Sequence, residues 1–170
     1  GCFLDKSGEK IVCSSCLEEM KSGRRAYCPC CGRFFGRRGE PHICEDCLKQ
    51  RPVYSCHRSC GLYSGRLREV ILLFKYRKYR ILGKPLADFM WSALQFHKTV
   101  WKDAELIMSV PLHKKRYRER GFNQSLVIAR YMSSQMNYPL ETGVLRRLVY
   151  RPPQTSLNAE ERRGNVRGVF

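Results

Sequence analysis

The chain has 170 residues, 43% of them hydrophobic, enough for one ordinary domain or for a small module beside a medium one. Thirty-two basic residues against 15 acidic ones leave a net charge of +17, which favours nucleic acid, phosphorylated ligands or an anionic surface over a neutral partner, with a solvated basic face as the bland alternative. No run of 18 apolar residues exists, so the sequence predicts no membrane span, and with no export signal in view the ten cysteines, mostly in C-x-x-C pairs, favour metal in a reducing cytoplasm over disulfides.

Residues 1–56 form the first unit, a zinc-ribbon-like module holding nine of the ten cysteines, with little hydrophobic periodicity. Such a stretch buries too little apolar surface to hold itself together, so a staple is expected. Cys2 stands alone, and Cys13-Ser-Ser-Cys16 follows. A second zinc site would join Cys2, Cys13 and Cys16 to a residue upstream of Gly1, or draw on His42 or Cys30; plain thiols are the competing reading. Gly1 is not Met, as expected of a processed chain or of a piece of a longer one. Cys28-Pro-Cys-Cys31 and Cys44-Glu-Asp-Cys47 then give C-x2-C-x12-C-x2-C. Two thiolates on each tight turn can face one ion, and the intervening loop brings the turns together, so Cys28, Cys31, Cys44 and Cys47 are predicted to hold structural zinc. Redox pairs or unliganded thiols are the alternative. Cys30 is the spare of its turn, Cys56 and Cys60 read as small buried hydrophobes, and His42 and His57 as surface residues. Four-cysteine sites leave no open position for water, so the metal would be a staple and not a catalyst.

Residues 62–170 form the second unit, with the pattern of an α/β domain. Leu67, Val70, Ile71 and Phe74 fall on one helix face, and Leu86, Phe89, Met90, Ala93 and Leu94 on another after Pro85. Leu106–Val110 is a short strand ending at Pro111. A third helix starts near Asn123 and carries Ile128, Tyr131 and Met132. Val144–Val149 is a second strand candidate, Arg151–Ser156 a loop, and Asn158 with Glu161 a capping box before a short helix. Val169–Phe170 reads as the start of another strand. Strands alternating with helices predict a parallel sheet.

Between the first strand and the third helix stands PLHKKRYRERGFNQSL, residues 111–126. Ligands of open α/β sheets sit outside the carboxyl ends of the strands, and the next helix would begin just after Gly121, offering free N–H groups to an anion. Arg116, Arg118 and Arg120 supply planar forks matched to phosphate oxygens. Phosphate or pyrophosphate, a nucleic-acid backbone and bulk solvent are the partners this turn allows; the P-loop spacing is absent.

SVPLHKKRYRERGFNQS at 109–125, RRLVYRPPQTSLNAEERRGNVRGVF at 146–170 and LREVILLFKYRK at 67–78, preceded by the cysteine pairs, resemble the ComF (competence protein F) family over nearly the whole chain. That resemblance implies a cysteine-rich zinc module followed by a type I phosphoribosyltransferase domain. Residues 110–123 look like its pyrophosphate-binding loop, with Lys114, Lys115, Arg116, Arg120, Gly121 and Asn123, and residues 151–165 like its active-site loop and helix, with Gln154, Arg162 and Asn165. The resemblance further implies phosphoribosyl pyrophosphate with Mg²⁺ as ligand and a link to DNA uptake in natural transformation. The D-D-V-x-T-T-G motif of the family is not found, which suits a fragment cut at both ends that assigns no catalytic residue and does not transfer phosphoribose by itself. A nucleic-acid reading stands beside the transferase one: Tyr76, Arg77, Tyr79 and Arg80, with Tyr117 and Arg118, interleave aromatics and cations as single-stranded DNA binders do. A third reading is a scaffold whose zinc module docks a partner protein of the competence machinery.

Overall fold

Leu67, Val70 and Phe74 are buried on one face of helix α3 (Gly65–Tyr76), as their spacing requires. The computed structural model describes residues 12–20, 26–36, 39–151 and 157–170. Within them the short helices α1 (Ser14–Met20) and α2 (Glu45–Lys49) precede α3, and a 3₁₀ turn at Arg80–Leu82 leads into α4 (Gly83–Leu94). Pro85 sits in the first turn of α4, where its missing N–H costs nothing. A 3₁₀ turn at Gln95–His97 and α5 (Lys98–Trp101) connect to strand β1 (Ile107–Met108); α6 (Lys114–Arg120), α7 (Gln124–Met136), β2 (Leu140–Glu141) and α8 (Ala159–Val166) complete the order.

β1 and β2 pair in parallel, Ile107 with Leu140 and Met108 with Glu141. A parallel pair needs a crossover, and α6 and α7 supply it. Asn137 ends α7 in the left-handed region (φ 55), Ser133 donates its hydroxyl to the Tyr138 carbonyl at 2.6 Å, and Pro139 accepts from the Ile107 amide at 2.8 Å. The chain therefore enters β2 straight from the helix. α7 lies along one face of the pair. On the other, Leu106, Met108 and Val110 alternate outwards and stay 42–54% exposed.

Two strand expectations are corrected. Val144–Val149 is not a strand: its pairing position beside β1 is taken by Leu140–Glu141, Val144 and Leu148 face solvent, and the stretch is held by a bond from the Leu148 amide to the Val169 carbonyl at 2.8 Å. Val169–Phe170 likewise forms no ladder among the described residues, although Val169 is fully buried. The capping box at the start of α8 is present: the Asn158 amide donates to Glu161 Oε2 at 2.7 Å and the Glu161 amide to Asn158 Oδ1 at 3.0 Å.

The main core joins α3 (Leu67, Val70, Phe74), α4 (Leu86, Phe89), Phe122 and Val127, with Phe74 and Phe122 rings 5.3 Å apart. Val12, Cys16 and Met20 belong to the same cluster, because α1 packs on α3. The cysteine-rich half thus lends one helix to the α/β core. Each such side chain, fully buried, contributes about 1.5–3 kcal/mol. α4 packs tightly on α7 where Gly83 meets Val127: a Cβ at position 83 would overlap a Val127 methyl and touch Phe74 and Tyr131 at 3.6 Å.

Gly83→Ala should therefore invert the usual helix preference. Gly83 opens α4, where alanine's helix preference over glycine is weaker than in an interior, and overpacking against Val127 should lower stability by about 1–3 kcal/mol. Thermal unfolding checks this, with Val127→Ala in the same chain restoring part of the loss. Asn123→Ala, which removes a helix cap, should cost about 1–2 kcal/mol in the same measurement.

Candidate functional site

Ala26–Phe35 folds as a hairpin around the first cysteine turn. The Phe35 amide bonds the Ala26 carbonyl, the Cys28 amide the Arg33 carbonyl and the Gly32 amide the Cys28 carbonyl, at 2.8–2.9 Å. Gly32 follows the turn with φ +69, and a Cβ there would press on the His57 backbone at 2.7 Å, so glycine is required on both counts. The second turn opens α2: Cys44 is its N-cap, and the Cys47 and Leu48 amides both bond the Cys44 carbonyl.

The two turns bring Cys28, Cys31, Cys44 and Cys47 together with all four sulfurs within 4.8 Å of one another. Cys31 Sγ and Cys44 Sγ are 3.7 Å apart. A tetrahedron with metal–sulfur bonds of about 2.3 Å has edges of about 3.8 Å, so the cluster fits a zinc-sized ion. Burial opposes ionisation of Cys28, but backbone N–H groups of Cys31, Cys44 and Cys30 outweigh it and bring the thiol down to about 6. The Cys44 amide points at its sulfur from 3.4 Å. Burial and then the neighbouring sulfurs push Cys47 up, and burial raises Cys31. Four thiolates cannot crowd this space without a cation between them. Cys30, the predicted spare, lies beside the cluster and outside the tetrad.

Residues beyond the tetrad fasten it to the rest of the chain. The His57 amide bonds the Cys30 carbonyl at 2.9 Å and His57 Nδ1 meets the Cys31 carbonyl at 3.0 Å. Arg58 Nη1 donates to the Pro29 carbonyl at 2.6 Å, and its guanidinium lies over Tyr27. The Tyr27 hydroxyl meets His97 Nδ1 at 3.3 Å. His57 is exposed, as expected, but its ring and backbone support the first turn. An Arg33–Asp46 ion pair at 2.7 Å links the two turns; both side chains are more than half exposed, so it adds little.

Cys13 and Cys16 do not approach the tetrad. Cys16 is 1% exposed in the main core, and Cys13 sits at the start of α1, where the Ser15 hydroxyl, then Cys16, bring its thiol down to about 7. Cys2 lies outside the described residues. Cys60 is partly buried against the main core, short of the full burial expected of it, and that burial pushes its thiol up to about 11.

The basic stretch after β1 departs from the expected turn: Lys114–Arg120 is itself a helix, α6, directly beyond the carboxyl end of the strand. His113 caps it, its Nδ1 accepting from the Lys115 amide at 3.2 Å. Strong helix formers fill all seven positions except Tyr117, and nothing interrupts them until Gly121. Gly121 ends α6 with φ 79, which reverses the chain. Phe122 then drops into the core, and Asn123 caps α7 by accepting from the Ser125 amide at 3.0 Å while its own amide donates to the Val110 carbonyl at 3.1 Å. Gly121 and Asn123, expected at a pyrophosphate loop, are thus occupied in joining strand to helix.

The cations of α6 fall into two groups. Lys115 and Arg116 lie over the Tyr150 ring, 4.6 and 5.3 Å from its centroid, with His113 edge-on at 5.4 Å; Arg116 also pairs with Glu119 at 2.9 Å. Arg120, one turn on, lies over Tyr76 and bonds Gln124 Oε1 at 3.1 Å. Lys114 is exposed at the start of the helix. Tyr150 was not singled out by sequence reasoning, and no spacing rule reaches across the 33 residues between it and Arg116. Arg162 and Asn165 stand on α8, Arg162 exposed and Asn165 half-buried, with the Arg162 amide bonded to the Asn158 carbonyl at 3.0 Å. Gln154 lies outside the described residues, as does most of the loop expected at Arg151–Ser156.

No helix among the described residues is long and apolar enough to cross a membrane. No protein-family model and no solved structure matches the chain. Curated relatives do. Competence protein F of Haemophilus influenzae is 28% identical over 94% of this chain and 69% of its own length. Competence protein ComFC of Bacillus subtilis is 30% identical over 81% of this chain and 58% of its own length. DNA utilization protein YhgH of Salmonella typhi is 25% identical over 94% of this chain and 70% of its own length. The chain therefore spans between about three-fifths and seven-tenths of these relatives, and its similarity across most of its residues to two proteins named for competence supports a place in the ComF family.

Proposed function

We propose that this chain acts in competence or DNA utilization, the roles for which its relatives are named, through DNA uptake, and that it does so as a zinc-stapled phosphate-binding protein. On this reading residues 1–56 are the zinc-ribbon module and residues 62–170 the first part of a phosphoribosyltransferase-like domain. Zinc held by Cys28, Cys31, Cys44 and Cys47 fixes the module. The ligand is of the phosphoribosyl pyrophosphate type, taken up as its Mg²⁺ complex near the carboxyl end of β1. The observation that carries the reading is the placement of α6, a helix with five cations in seven residues, immediately beyond the end of a parallel strand. Lys115 and Arg116, gathered over one aromatic ring, would neutralise the diphosphate, with Lys114 at the rim. Arg162 and Asn165 of α8, with Gln154, would close over it. Charge neutralisation at a leaving diphosphate is what transfer of phosphoribose would need.

A second reading rests on a specific observation. Tyr76 and Tyr117 are both more than half exposed, and Arg120 joins their neighbourhoods: it lies over Tyr76 and, three residues after Tyr117, shares its face of α6. Exposed tyrosines among cations form a platform for single-stranded DNA.

Calorimetry with phosphoribosyl pyrophosphate and Mg²⁺ separates the two. Saturable one-to-one binding that persists at moderate salt and weakens about tenfold or more in Lys115→Ala/Arg116→Ala supports the phosphate site. Absence of that binding, with single-stranded DNA affinity falling steeply as salt rises, supports the DNA platform and removes the transferase reading.

The metal assignment has its own measurement. Cys47→Ser should lose zinc and lower the unfolding temperature, whereas Cys30→Ser should keep zinc at wild-type content. Loss of zinc in Cys30→Ser would overturn the tetrad. A metal content of two per chain would mark the second site expected at Cys2, Cys13 and Cys16.

A further inference from the structure

Where the ends of α3 and α6 meet, donors outnumber acceptors. Lys75 stands in the last turn of α3 and is half-buried. Burial, and then the nearby Arg120 guanidinium, lower its pKa. Arg120 lies over the ring of Tyr76, the next residue, 5.4 Å from its centroid, and donates through Nη1 to Gln124 Oε1 at 3.1 Å. Gln124, the first residue of α7, is 5% exposed. Arg120 has no acceptor to offer, so the Gln124 oxygen must face it and the amide nitrogen is left over. That Nε2 is buried and meets no hydrogen-bond partner. Among the described residues no carboxylate pairs with Lys75 or Arg120, although Arg116, Lys84 and Arg66 all find one.

Two cations held within each other's field, beside a buried unpartnered amide, make an arrangement that destabilises the empty protein. An anion with several lone pairs would offer acceptors to donors of this kind.

We propose that Lys75, Arg120 and the Gln124 amide form a subsite for one phosphate group of a phosphorylated ligand, at the junction of α3, α6 and α7. The subsite rests on the reading of α6 as a phosphate-binding element and extends it one helical turn beyond Arg116. It adds Lys75 and Gln124 to the binding residues and gives the FKYRK segment a role besides core packing.

The test uses the 170-residue chain with inorganic pyrophosphate as the probe. Binding is measured by calorimetry, and the accessibility of individual lysines by limited acetylation read out by mass spectrometry. Lys75→Met keeps the apolar stem and should weaken binding about ten- to a hundredfold, the usual range for a hydrogen bond to a charged group. Gln124→Leu replaces an unpartnered donor with a methyl group; it should keep or raise the unfolding temperature and still weaken binding. Pyrophosphate should protect Lys75 from acetylation and leave the exposed Lys84 unprotected. Wild-type affinity in both variants, or binding without protection of Lys75, overturns the subsite; in that case loss of binding in Lys115→Ala/Arg116→Ala leaves the reading of α6 standing. Failure of pyrophosphate to bind at all overturns both.

Discussion

One amide group holds the α/β half in register. Asn123 donates to the carbonyl of Val110 and accepts from the amide of Ser125, so a single buried side chain fixes where the strand ends, where α7 begins and how far apart they are. Everything between residues 111 and 122 is thereby closed into a loop whose two ends cannot separate. The helix α6 is what such a loop becomes when its residues are good helix formers and its exit is a glycine in the left-handed region. Phe122 anchors the same closure from beneath, against Phe74. The cations of α6 are held at the strand end because the residues that follow them are committed to the core.

The cysteine-rich half obeys a different constraint. Its own cluster is little more than Cys28, Cys44 and Cys47 with a few partly buried neighbours, too small to fold by burial of apolar surface. The backbone compensates by aiming N–H groups at sulfur and by wrapping the first turn with His57 and Arg58. α1 leaves this half altogether and packs on α3. The hydroxyl of Tyr27, on the hairpin, meets His97, between α4 and α5. A cysteine tetrad so connected is an attachment of the α/β core and not a bead on a flexible string.

Periodicity read the long elements well, because a helix face repeats its burial every three or four residues: Leu67, Val70 and Phe74 announce α3, and Asn158 with Glu161 announces α8. The tetrad was legible from spacing alone, since two residues between cysteines suffice to set both sulfurs on one side of a turn. Val144–Val149 misled because an apolar run says nothing about whether a pairing edge is free, and that edge had gone to two residues directly after α7. Lys114–Arg120 misled in the other direction: charge suggested a loop, while helix propensity, which the same residues also carry, decided the structure. Contacts such as Lys115 on Tyr150, or Arg120 on Tyr76, depend on tertiary closure and leave no local trace.

The outer face of β1 has a consequence of another kind. Parallel strands are ordinarily covered on both sides, and Leu106, Met108 and Val110 present an apolar strip to water. Repulsion between copies carrying +17 each opposes the meeting of two such strips. That repulsion reaches only about 8 Å at physiological ionic strength and about 3 Å in molar salt. The colloidal behaviour of the chain is thus tied to its electrostatics: salt or polyanions that neutralise the basic surface also remove the barrier to strip-on-strip association. Anion capture and self-association are two responses to the same screening.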